Sequence, residues 1–247
     1  MNTFKIPQKN KNIISLAALL FCIFFTLAST AQNLIGAWEN YNTLDDGNQV
    51  KNVIIYSDGF YAISTYHAKT GKFISTKGGS WKLKDNTLSQ QIEFDTQKPE
   101  NVGTKKSFTI AITDTTLAIT DSNTKYTRID DGTPGKLKGA WLMSGRVRDG
   151  KTQQRDTNRP RKTMKILSGT RFQWIAYNTE TKQFMGTGGG TYTTQDGKYT
   201  ENIKFFSRDD TRVGNSLQFN YELKEGHWHH SGLSSKGDPI HEIWSKR

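Results

Sequence analysis

One five-residue pattern occurs twice in the chain. Leu34-Ile35-Gly36-Ala37-Trp38 is answered by Leu137-Lys138-Gly139-Ala140-Trp141, 103 positions later. After each copy, apolar and polar residues alternate in short runs, which is the period of half-buried strands. A repeat on this scale means two related units of modest size rather than one large domain. The correspondence continues beyond the opening. Phe60 and Ile63 match Phe172 and Ile175 at an offset of 112, and Phe73 with Gly78-Gly79 matches Phe184 with Gly189-Gly190 at 111. The step from 103 to 112 places the main insertion in the second copy, within residues 146–162.

The spacing predicts strands near 34–42, 50–57, 59–67, 72–83, 87–95, 105–112, 115–121 and 124–129. In the second copy it predicts them near 137–147, 162–168, 170–178, 182–193, 197–207, 213–223, 226–233 and 239–245. Short polar breaks such as Asp58-Gly59, Asp196-Gly197 and Glu225-Gly226 have hairpin-turn chemistry. Aromatic residues make up 11% of the chain, which suits a pleated surface, and no stretch keeps a helical period. Eight strands per copy is the size at which an antiparallel sheet closes on its own side chains or on one small ligand. The expected fold is all-β, with two tandem eight-stranded antiparallel barrels at 32–130 and 137–247, joined by a turn-rich linker at 131–136.

A signal peptide is expected before the first barrel, at 1–31. Lys5, Lys9 and Lys11 precede an apolar run from Ile13 to Leu27, and Ser29-Thr30-Ala31 offers a small-residue cleavage site after Ala31. The run is short of the roughly 20 residues a membrane span needs. Phe21 stands before Cys22 where lipidation requires a small residue. Cleavage leaves 216 residues without cysteine, a composition that points to a bacterial secreted or periplasmic protein with no disulfide and no remaining transmembrane segment. Losing the three leader lysines takes the formal charge from +11 to +8, a bias toward anionic partners.

In each copy, a glycine ahead of an inward tryptophan lets the first strand bend and seats a large ring at one end of the barrel. A cation from the last strand can lie over that ring. Gly36, Trp38 and Arg128 form one such set, and Gly139, Trp141 and Arg247 the other. Leu-x-Gly-x-Trp, eight strands and a terminal arginine resemble the lipocalin and calycin barrels. The second copy is similar to the lipocalin-like domains of bacterial secreted proteins of unassigned function. The residues that carry this likeness are Gly188-Gly189-Gly190-Thr191-Tyr192, Asp196-Gly197-Lys198-Tyr199-Thr200-Glu201 and Glu242-Ile243-Trp244-Ser245-Lys246-Arg247. The first copy departs from it, with Trp81 in place of Tyr192. The resemblance implies a cup for a small, largely apolar molecule and implies no reaction.

Strand phase puts Tyr199, Glu201 and Phe205 on one face, Trp228 with His230 on another, and Glu242 with Trp244 opposite these. Trp174, Tyr192, Phe205, Phe219, Trp228 and Trp244 are the expected aromatic lining of the second cup. Glu201 and Glu242 would either orient a ligand or form a buried network that pins the barrel, and the network is preferred because buried carboxylates must be paired. His227-Trp228-His229-His230 invites a metal reading, with His241 as a further ligand. Alternation on a strand lets at most two of the run reach one ion, so no metal and no cofactor is expected. The Glu201/Glu242 pair could serve a hydrolase or isomerase, but nothing in the sequence sets its separation. The glycines at 188–190 do not open a helix, which excludes a phosphate loop.

The insertion carries Arg146, Arg148, Lys151, Arg155, Arg159, Arg161 and Lys162 against Asp149 and Asp156. It is expected to be a long first loop, which the calycin resemblance implies would cross the mouth of the cup; it either gathers anionic ligands or a polysaccharide or is a mobile, solvated loop. Export argues against nucleic acid. The sequence thus reads as an exported, non-catalytic binding protein for a small amphipathic or anionic ligand, held mainly in the second barrel. The alternatives are an envelope interaction module with filled barrels and, least favoured, a small enzyme.

Overall fold

The computed structural model describes residues 34–234 and 236–247; the expected signal peptide and Cys22 lie outside them. The first barrel comprises β1 (Gly36–Thr43), β2 (Gln49–Ser57), β3 (Phe60–His67), β4 (Phe73–Lys84), β5 (Thr87–Asp95), β6 (Lys105–Ile112), β7 (Thr116–Ile119) and β8 (Thr124–Asp130). These eight antiparallel strands close in sequence order, β8 returning to β1. The second comprises β9 (Gly139–Arg148), β10 (Lys151–Gln154), β11 (Arg161–Leu167), β12 (Arg171–Asn178), β13 (Phe184–Gln195), β14 (Lys198–Phe206), β15 (Ser216–Lys224), β16 (His227–Leu233) and β17 (Pro239–Lys246). It closes through β17 and β9, with β10 as an added edge strand. The breaks Asp58-Gly59, Asp196-Gly197 and Glu225-Gly226 each place two successive residues at positive φ, the demand of a tight hairpin.

Trp38 and Trp141 occupy the same place in the two barrels. Each is buried, and each indole Nε1 donates to the carbonyl four residues earlier, Leu34 at 3.0 Å and Leu137 at 2.8 Å. The glycines ahead of them, Gly36 and Gly139, sit at φ +125° and +135°. A Cβ at Gly36 would overlap the Asp130 carbonyl, so the close approach of β8 to β1 requires glycine. The covering cations are Arg128, 4.0 Å from the Trp38 ring centre, and Lys246, 4.5 Å from that of Trp141. This corrects the expectation for Arg247. Lys246 is the cross-strand partner of Trp141, and the next residue points away from the barrel. Arg247 accordingly lies on the ring of Phe60 in the first barrel.

A second correction comes from a bulge. β14 pairs with β13 through Gly189↔Phe205 and Gly190↔Ile203, leaving Lys204 without a partner. The bulge reverses the phase, so Phe205 turns outward and Phe206 faces the interior beside Trp174 at 5.5 Å. The first barrel has the same device. Gly78↔Phe94 and Gly79↔Ile92 leave Glu93 over and turn Phe94 outward.

These outward residues belong to a shared interface. Ala37, Ile55, Ala62 and Phe94 of the first barrel pack in one buried cluster with Ala140, Leu142, Met164, Ile166, Ile175 and Tyr177 of the second. Arg247 reaches both oxygens of Glu93 at 2.7 Å, Tyr177 donates to Glu93 at 2.6 Å, and Gln173 donates to Thr76 at 2.8 Å. The end of β8 is held as well. The Asp130 carboxylate accepts from the Ser168 and Thr170 hydroxyls, both at 2.7 Å, and from the Gly169 and Thr170 amides. The tandem barrels are therefore fused along one face rather than strung together.

The insertion is not one long loop. β9 runs on to Arg148, turns at Asp149-Gly150 and returns as β10, from Lys151↔Arg148 to Gln154↔Gly145. β11 flanks β9 only at residues 139–142, so the hairpin continues the sheet where β11 diverges.

Candidate functional site

The interior of the second barrel is built around a buried ion pair. Lys165 on β11 lies opposite Trp141 and meets Glu201 on β14 at 2.8 Å, each side chain 6% exposed. The same carboxylate oxygen accepts from the Tyr199 hydroxyl at 2.9 Å. The ammonium sits 5.1 Å from the Tyr199 and Trp228 ring centres and 5.3 Å from Trp244. This is the geometry of an aromatic cage for a cation, filled by the protein's own lysine.

Beside it, His230 Nδ1 lies 3.1 Å from Glu242 Oε2, and Trp244 Nε1 donates to that oxygen at 3.2 Å. His230 also packs on Phe219 with ring centres 4.1 Å apart. Tyr192 closes the layer, donating its hydroxyl to the Ser168 carbonyl at 2.6 Å, as the Trp81 indole donates to Phe60 at 2.9 Å in the first barrel.

Eight of the predicted site residues are thus brought together: Tyr192, Tyr199, Glu201, Phe219, Trp228, His230, Glu242 and Trp244. Trp174 is partly buried beside Phe206, and Phe205 stands outside. Lys165 was not foreseen, because its neighbours Met164 and Ile166 look like the inward face of β11. They face the other barrel instead. The available signal was Glu201, a carboxylate placed inside with no cation to answer it.

Burial pushes the His230 pKa down, helped by the nearby Lys165 charge. Burial opposes ionisation of Glu242, but the His230 hydrogen bond and the Lys165 charge hold its carboxyl below the usual range. Burial and the Glu201 charge raise the Tyr199 hydroxyl well above its ordinary value. His230 and Glu242 therefore both bind protons more tightly in the unfolded chain. Stability is full above the ordinary histidine value and falls as pH drops, first through the histidine range and then the carboxylate range. Urea midpoints should decline from pH 7.5 to 5.5, and His230→Leu should flatten that decline; an unchanged slope in the variant would assign the acid sensitivity elsewhere.

The first barrel carries smaller residues at the same places. Register matches Ile54 to Lys165, Leu117 to Trp228, Ile119 to His230 and Thr124 to Glu242. The result is a cavity of about 310 Å³, lined on its apolar side by Ile54, Tyr56, Leu88, Phe108, Ile119 and Tyr126. Gln90 crosses it to Tyr56 at 3.2 Å. Asn52, Thr65, Lys77, Asp95, Gln97 and Thr124 add polar groups with partial or full solvent exposure. The open cup thus lies in the first barrel, and the expected second cup is packed with its own side chains.

The basic segment lies beside the second barrel, and none of its residues lines this cavity. Arg146 donates to Gln153 at 2.8 Å, and Lys162 Nζ donates to the Thr157 and Arg159 carbonyls at 2.9 and 3.2 Å. Arg155 and Arg161 lie against Met143 and Met185, while Arg148 and Arg159 are exposed. The histidine run divides between two faces. His230 is inside, while His229 meets His241 at 3.2 Å on the other face. Among the described residues no three His, Cys, Asp or Glu side chains converge as a metal site, and no helix is long and apolar enough to cross a membrane.

No curated protein matches the chain. Residues 136–247, the second barrel, match the family model described as a domain of unknown function, DUF4488.

Proposed function

We propose that this is an exported, non-catalytic binding protein of lipocalin-like architecture whose cup is the first barrel. Its ligand is a small amphipathic molecule with a polar or anionic head. The observation that carries this reading is the 310 Å³ cavity, which joins apolar walls at Ile54, Tyr56, Leu88 and Phe108 to buried Ser75, Thr76 and Gln90 and to polar groups where it meets solvent. That volume is at the small end of ligand sites, which run from roughly 300 to 1,000 Å³. It suits a compact molecule rather than a long acyl chain. Tyr56, Leu88 and Phe108 would take the apolar body, and Lys77 the head. The second barrel, with its interior filled, serves as the rigid support. The carboxylates of that interior are engaged by Lys165, Tyr199, His230 and Trp244, which supports a structural role over acid–base chemistry.

Anilinonaphthalene sulfonate, an amphipathic anion, tests the cup by its fluorescence. Ile119→Trp should fill the cavity and abolish binding while the melting temperature holds. Lys77→Gln should weaken binding by up to about fivefold, the range of an exposed ion pair. Undiminished dye binding by a folded Ile119→Trp protein would end the proposal. The exposed cations of the β9–β10 hairpin carry a second reading, docking on an anionic envelope glycan, which Ile119→Trp would leave intact.

A further inference from the structure

The strands that wall the cup have a second face. Ile54, Tyr56 and Ile63 look into the first barrel, while their neighbours Val53, Ile55 and Ser64 look toward the second. There the barrels part around a cleft of 380 Å³, and no residue lines both spaces. Its floor is apolar: Val53, Tyr66 and Phe205 form one buried cluster, with Tyr66 and Phe205 stacked across the seam at 5.0 Å. One wall is fixed by close packing, since a Cβ at Gly71 would overlap the Lys204 carbonyl.

The charge of this cleft is one-sided. Lys51 and Lys69 come from the first barrel, Arg171 and Lys204 from the second, and no carboxylate lines it. Lys51 is paired with Glu39 at 2.6 Å. Among the described residues no carboxylate forms an ion pair with Lys69, Arg171 or Lys204. Burial raises the Tyr66 hydroxyl, Lys51 and Arg171 oppose the rise while Glu39 adds to it, and the net value is about 12, so cations of both barrels act on one group.

The repeat sharpens the contrast. The bulge residue of the first barrel, Glu93, meets Arg247 across the interface at 2.7 Å. The bulge residue at the same place in the second barrel is Lys204, and it lines the cleft. One bulge thus places an anion against a partner cation, and the other places a cation beside three more. Like charges gathered over an apolar floor repel one another and focus a positive potential. A bound anion relieves that repulsion.

We propose that the inter-barrel cleft binds a compact organic anion, a carboxylate or phosphate on a small apolar framework, with cations supplied by both barrels. Such a site exists only where the two repeats are fused, and it is separate from the cup. Titration calorimetry on the chain from Gln32 onward, with benzoate and phenyl phosphate as probes and benzyl alcohol as neutral control, tests it. At least one anion should bind and the alcohol should not, with affinity falling as salt rises. Arg171→Gln with Lys204→Gln should weaken binding at least tenfold without lowering the melting temperature of the free protein, and Ile119→Trp should leave binding intact. Should the double variant misfold, Lys204→Gln alone should still weaken binding, its side chain being exposed. The proposal is overturned if neither anion binds at 10 mM (about 3 kcal/mol of affinity), if the charge variants bind as the parent does, or if Ile119→Trp removes the binding.

Discussion

Replacing Lys165 with methionine should cost about 3–5 kcal/mol of stability, the penalty for stranding one charge of a buried pair. Glu201 would keep the Tyr199 hydrogen bond and lose its cation, inside a layer whose side chains exclude water. Restoring neutrality should recover much of the loss, because two buried charges gain little over a well-packed apolar pair. The molecule already contains the neutral version. The first barrel has Ile54 and Gln90 where the second has Lys165 and Glu201. Urea unfolding of Lys165→Met, Glu201→Gln and Lys165→Ile/Glu201→Gln should show the double variant more stable than Lys165→Met. A double variant as unstable as the sum of the single changes would mean that the ion pair itself, rather than charge balance, holds the barrel together.

The strand pattern was legible because it depends on local chemistry: alternation, and turns that place a polar residue before glycine. The shared face was not. Ala37, Ile55, Ala140 and Ile166 alternate with the inward residues of both copies, so the strands are apolar on two sides and the sequence cannot say which side is the barrel's own. The same ambiguity hid Lys165, which is polar on the inside between two apolar residues facing outward. The bulge at Lys204 misled the placement of Phe205 for a different reason. One extra residue reverses every later position on the strand, and its cause is non-local: a Cβ at Gly190 would overlap the Asn202 carbonyl. The aromatic and carboxylate set of the second barrel was found, but its state of occupation depends on volumes that no pattern records.

Ala140→Glu should divide the protein. Ala140 is fully buried in the cluster where the two barrels meet, immediately before the inward Trp141. The cation that reaches this cluster, Arg247, is already paired with Glu93, so a carboxylate placed there lacks a cation of its own, and burying that charge should cost about 4 kcal/mol or more. The parent should unfold in a single calorimetric transition, because the interface couples the barrels through apolar packing and the Arg247–Glu93–Tyr177 contacts. The variant should unfold in two transitions, and its newly exposed apolar face should promote self-association. Lys246→Gln is the matched control at the same seam. Its partner Asp58 is 2.6 Å away with both side chains 43% exposed, a pair worth at most about 1 kcal/mol, and its place over Trp141 adds about 0.5–1 kcal/mol, so the loss should stay under about 2 kcal/mol with one transition kept. Two transitions already present in the parent would show that each barrel folds on its own core and that the shared face adds contact without cooperativity. A single transition that merely moves down in the variant would show that neither barrel is stable without the other.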